Sequence, residues 1–125
     1  PPSTHTLSLW FDPGVHSRLQ TAPAAAVLQA GEIPEIRSEG MRARVLLGAF
    51  GGAVSPLEFQ PGFPSRRVLL LDCWVASGAT AAFEVPGRMR AAFAYVLRGG
   101  GSGHFGPNHV ELLEQQLAIL SHGFP

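Results

Sequence analysis

The chain has 125 residues, 46% of them apolar and 14% charged, and its nine arginines balance nine carboxylates to a formal net charge of zero. That composition excludes a disordered segment and is long enough for one domain, residues 1–125, with a buried core. Neutrality argues against nucleic acid as a partner, and the absence of any lysine excludes a P-loop or Schiff-base chemistry.

Cys73 is alone, so no intrachain disulfide is available, and a reducing, cytoplasmic setting is expected. No apolar run approaches the roughly 20 residues that span a bilayer, so no membrane partner is expected. The start carries no basic stretch leading into an apolar core, and hence no signal peptide. It opens Pro1-Pro2 without an initiator Met, which reads as a fragment, a processed form or a trimmed chain.

In chain order, Leu7–Phe11 alternates and predicts a half-buried strand, ended by the turn residues Asp12-Pro13-Gly14. Ala24–Leu28, between Pro23 and Gly31, suits either one helical turn or a short strand. Residues 33–37 are extended, and Glu39-Gly40 is a turn. Met41–Leu47 is a clear amphipathic strand, with Met41, Ala43, Val45 and Leu47 on one face and Arg42 and Arg44 on the other. Gly48–Ala53 reads as a loop or bulged turn. Val54–Phe59 reads as a short strand interrupted by Pro56, and Gln60–Ser65 as turn material.

Val68–Val75 is apolar on both faces, which predicts a strand covered on both sides. Ser77-Gly78 turns the chain, Thr80–Val85 returns as a strand, and Pro86-Gly87 turns it again. Ala91–Leu97 alternates, with Phe93, Tyr95 and Leu97 on one face. The glycines at 99–101 and 103 predict a flexible turn. Glu111–Leu120 has helical propensity, but the strand-like elements before it favour two strands, His109–Leu113 and Leu117–Leu120, joined at Glu114-Gln115. The whole is all-β, a sandwich or barrel.

The chemistry-bearing residues are sparse. His5, His16, His104, His109 and His122 are scattered and read as exposed or turn histidines. The weak metal candidates are His104, His109 and Glu111. Cys73, mid-strand, is expected to be a buried and unreactive thiol. Asp72 lies on an otherwise apolar strand, so an ion pair with Arg88 or Arg90 is expected. Arg66 and Arg67 read as a solvated rim. Trp74, Asp72, Tyr95 and Phe93 are the candidate ligand-binding residues, lining an apolar pocket if they are not simply core. No catalytic residue and no cofactor are expected.

Several runs, in order, resemble the C-terminal domain of the pirin family within the cupin superfamily. LSLWF followed by Asp12-Pro13 resembles the strand leading into the family's second domain. EIPEIRSEGMRARVLLGAFGGAVSP, LLLDCWVASGATAAFEVPGRMRAAFAYVLRGGG and HVELLEQQLAILSHG resemble the segments that follow, so the likeness covers most of the chain. The resemblance implies a cupin-like double-stranded β-helix, or jelly-roll sandwich. Pirins hold their metal in the N-terminal domain, in motifs such as H-x-H that this sequence lacks. The chain also stops before the last strands of the family's domain. The resemblance therefore implies a metal-free and incomplete cupin half, completed by strand exchange through edge strands in a homodimer.

Three functions follow from that likeness: a non-enzymatic module binding protein or small molecule, a quercetin 2,3-dioxygenase-type metal-dependent oxidoreductase or its accessory half, and an apolar small-ligand carrier. The absent ligands favour the first.

Overall fold

The computed structural model describes residues 6, 8–9, 26–60, 68–87, 89, 91–105 and 108–121. Most of the strand expected at Leu7–Phe11, the turn at Asp12–Gly14 and most of the turn at Gln60–Ser65 lie outside them. Among the described residues the chain forms nine strands and two short 3₁₀ turns, so it is all-β, with every strand pair antiparallel. It divides into two compact units, Pro1–Ala81 and Ala82–Pro125.

The first unit is built on a three-stranded sheet. Strand β1 (Glu35–Ser38) turns at Glu39-Gly40 into β2 (Met41–Leu47), and β5 (Leu70–Val75) pairs with the far edge of β2. Alternation along β2 does what its sequence requires. Ala43 and Val45 point to one face and are fully buried, which makes them the centre of this unit's core. Arg42 and Arg44 point to the other face. The ladder slips between Val45 and Leu47, where β2 and β5 are out of step by one residue.

Gly48–Ala53, expected as a loop, contains a small hairpin of β3 (Ala49–Phe50) and β4 (Ala53–Val54). Gly51 (φ 58°) and Gly52 (φ 88°) supply the two left-handed residues that a tight two-residue hairpin turn needs. Val54–Phe59 is not a single interrupted strand. β4 ends at Val54, and Pro56–Phe59 forms a 3₁₀ turn, because proline suits the first position of a helical turn and cannot continue a ladder. Ser55 joins the two. It is fully buried, its hydroxyl donates to the Leu46 carbonyl at 2.8 Å, and the same oxygen accepts from the Leu57 amide at 3.2 Å.

Two further expectations for this stretch differ from the structure. The end of β5 is not covered on both sides: Leu70, Leu71 and Asp72 are half-buried, whereas Cys73, Trp74 and Val75 are exposed. Cover on a second face must come from elements distant in sequence, and alternation cannot report it. Residues 80–85 carry no strand, because no described segment offers them a ladder.

The second unit is a long two-stranded ribbon with a break. Strand β6 (Ala91–Tyr95) pairs with β9 (Leu117–Ser121), and inside that pair β7 (Gly100–Phe105) pairs with β8 (Asn108–Leu113). Hydrogen bonds between Val96 and residues 115–116 carry the outer ladder toward the inner one. Glu114 and Gln115 form the β8–β9 turn, with Gln115 left-handed at φ 64°, so two strands prevail over a helix at 111–120. The glycine run is not simply a flexible turn, since Gly100, Gly101 and Gly103 sit within β7. Backbone passes close to Gly100, where a Cβ would lie 2.9 Å from the Leu112 carbonyl oxygen.

Core truncation should separate the buried from the exposed positions of the first unit. Val45→Ala should cost roughly 2 kcal/mol and Ser55→Ala about 1–2 kcal/mol, with the exposed Val54→Ala near zero. Urea midpoints at constant slope check this, and equal effects at all three sites would refute the assigned core.

Candidate functional site

Register decides which side chains meet. In the first unit Arg44 stands between Glu35 on β1 and Asp72 on β5, and Arg42 stands between Arg37 and Trp74. Residues directly opposite share a face, so all six lie on the polar face of the sheet. Glu35 is the anchor. Arg37 Nε donates to its carboxylate at 2.8 Å, and the Nε atoms of Arg42 and Arg44 lie 3.4 Å and 3.7 Å from it. The Arg42 guanidinium sits 4.0 Å from the centre of the Trp74 ring and that of Arg44 5.4 Å, so both cations face the indole.

The hydrogen bond from Arg37 lowers the Glu35 carboxyl below its ordinary value. Desolvation opposes the shift, and the charges of Arg37, Arg42 and Arg44 reinforce it. The partners expected for Asp72, Arg88 and Arg90, lie outside the described residues. Cys73, expected to be buried, is exposed as a residue. Its thiol is nevertheless pushed up, first by desolvation and then by the Asp72 charge, which holds it in the protonated, less nucleophilic form.

The second unit presents the opposite chemistry. Phe93 stands across from Ile119 and Tyr95 across from Leu117, all on one face of the β6–β9 ladder. These four are exposed by 54%, 71%, 38% and 51% of their surfaces, in that order. Ala92, Ala94 and Ala118 take the other face and are half-buried. Four large apolar side chains therefore stand exposed together on one face of this ladder.

Of the sequence-predicted ligand residues, Trp74 and Asp72 share a face in the first unit, and Phe93 and Tyr95 share one in the second. Residues 104 and 109 are brought together: they are opposite each other in the β7–β8 register, and their rings meet edge-to-face with centroids 4.9 Å apart. Glu111 lies two residues along β8 from His109, opposite Ser102. Among the described residues no three His, Cys, Asp or Glu side chains converge to hold a metal ion. A depression of about 470 Å³ opens at the end of the first sheet, lined by Glu39, Gly40, Ser77, Gly78, Ala79 and Thr80. It contains none of the predicted residues.

Sequence reasoning missed Arg42 and Arg44 as neighbours of both Glu35 and Trp74, and Leu117 and Ile119 as neighbours of Phe93 and Tyr95. Alternation placed each on a face of its own strand, but the register between strands is not written in either strand alone. Compared with known proteins, the chain matches no family model, no curated protein and no solved structure. No helix among the described residues is long and apolar enough to cross a membrane.

The lowered Glu35 carboxyl has a sign that can be checked. Its contribution to stability is fully present above the ordinary glutamate value of about 4.3 and is lost as pH falls through the lower folded-state value. The thermal midpoint of the native chain should therefore exceed that of Glu35→Gln by a small margin at pH 7, and the two should draw together between about pH 5 and pH 3. A gap that stays constant over that range would remove the ion-pair cluster from the account.

Proposed function

We propose that this chain is a pirin-like cupin domain that works by binding and not by catalysis, and that the apolar face of the β6–β9 ladder is its working surface. The carrying observation is the outward set Phe93, Tyr95, Leu117 and Ile119. An isolated two-stranded ribbon is marginal in water, and among the described residues no third strand pairs with this one. Contiguous exposed apolar surface marks a place where something else packs.

The occupant is a second copy of the chain. The face carries no charge that would repel its own twin, and the outer edges of β6 and β9 have no partner among the described residues, so strand exchange or edge pairing about a two-fold axis closes both. A cupin-like jelly-roll is the fold that the resemblance implies.

Light scattering on the eluting protein should give a dimer mass, and Ile119→Asp or Phe93→Asp should convert it to monomer while far-UV circular dichroism is retained. A native chain that stays monomeric at about 100 μM would overturn the proposal, taking that as well above the micromolar range of a modest association. So would stoichiometric, tightly held iron accompanied by oxygen uptake on a flavonol.

A second reading rests on Trp74. Its partly exposed indole beside two guanidiniums suits a flat, anionic small molecule, which would stack on the ring and accept hydrogen bonds from Arg42 and Arg44. In a Trp10→Phe background, which removes the other of the chain's two tryptophans, salicylate should quench Trp74 fluorescence saturably, and Arg42→Ala should weaken it about tenfold, a change of about 1.4 kcal/mol. Quenching that rises linearly without saturation would dismiss this site.

A further inference from the structure

We infer that the β7–β8 hairpin carries a surface site for a borderline divalent metal ion, clipped between His104 and His109. The register places His104 directly opposite His109 and Ser102 directly opposite Glu111. Directly opposed residues share a face, and so do residues two apart on one strand, so these four side chains form a single polar strip. All four are exposed. The intervening Gly101 and Gly103 lie on the other face, opposite Leu112 and Val110, which leaves the strip free of apolar neighbours from β7.

The two imidazole rings already touch, with centroids 4.9 Å apart and planes at 66°. Chelation asks for a different orientation, in which one nitrogen of each ring aims at a common point about 2.0–2.1 Å away. The final torsion of a histidine side chain is broad, so the rings turn toward that point at little cost. The opposed Cβ atoms of a sheet pair, roughly 4.5–5.5 Å apart, suit this arrangement, and the ladder holds both stems in place before the ion arrives. Glu111, one step along the strip, does not converge with the two imidazoles as a third ligand, and its charge acts on the cation only at longer range. Water completes the coordination.

Neutral imidazole suits nickel, copper and zinc, not the hard ions magnesium and calcium. With two protein ligands the site is open and exchangeable, unlike a closed structural zinc centre. Its consequence is mechanical. The β7–β8 pair has no third strand among the described residues, and an ion bound only when His104 faces His109 favours the paired hairpin over its opened forms. This site uses none of the residues of the surfaces proposed for binding above.

Nickel(II) is the probe, because copper would oxidise the exposed Cys73. Calorimetric titration of the full chain should give one Ni²⁺ per chain, and amide resonances of residues 102–104 and 109–111 should broaden first. His104→Asn and His109→Asn should each weaken binding at least tenfold, and Glu111→Gln two- to threefold. The triple variant His5→Asn, His16→Asn, His122→Asn should bind as the native chain does. Ni²⁺ should raise the thermal midpoint of the native chain and not that of His104→Asn. Three results would overturn the inference: unchanged affinity in both single histidine variants, broadening centred on Cys73 or on another histidine, and a stoichiometry of one ion per two chains, which would mean bridging between molecules.

Discussion

Strand β2 is the constraint on which the first unit depends. It is hydrogen-bonded along both edges, to β1 and to β5, and its central residues alternate between a buried face and a partly exposed one. Ala43 and Val45 are closed from water on one face, and that burial supplies the hydrophobic driving force of the sheet. The same alternation forces Arg42 and Arg44 onto the other face, where Glu35 and Trp74 receive them. A slip of one residue would bury two guanidiniums and expose the core, so register is held by a large penalty at this strand. The Ser55 hydroxyl, tied to the Leu46 carbonyl near the end of β2, fastens the following hairpin to the same element.

The ribbon of the second unit has no equivalent of β2. Its β6–β9 ladder leaves Phe93, Tyr95, Leu117 and Ile119 exposed on one face, with Ala92, Ala94 and Ala118 half-buried on the other. A two-stranded ladder gains little from that arrangement by itself, because four of its large apolar side chains are left in water. This imbalance connects the local packing to the proposed role in binding: the energy held in the exposed face is released only when another surface covers it. The inner hairpin differs again. Its glycines let β7 run close to β8 at Gly100, and its outward strip is polar, with two imidazoles in contact.

Much of the strand pattern was legible from residues. The alternation of Met41–Leu47 defined β2 and both its faces, and the preference for two strands over a helix at 111–120 was met by β8 and β9. Where the reading departed from the structure, the missing information was non-local. Residues 80–85 have the composition of a strand but no described ladder to join. The glycines after 99 have the composition of a turn, yet β8 supplies a ladder that holds them extended. Val68–Val75 looked doubly covered because both its faces are apolar, whereas Trp74 and Val75 stand exposed at its end.

The candidate residues follow the same division. Sequence by itself determined the all-β class, the faces of β2 and β6, and the single thiol, because each of these depends on residue type and local spacing. Tertiary structure alone decided that Trp74 would meet Arg42 and Arg44, that Phe93 and Tyr95 would face water beside Ile119 and Leu117, and that His104 would touch His109. Those outcomes depend on which strands pair and in what register. Pairing is chosen by the burial and hydrogen bonding of the whole unit, and no single strand carries that information.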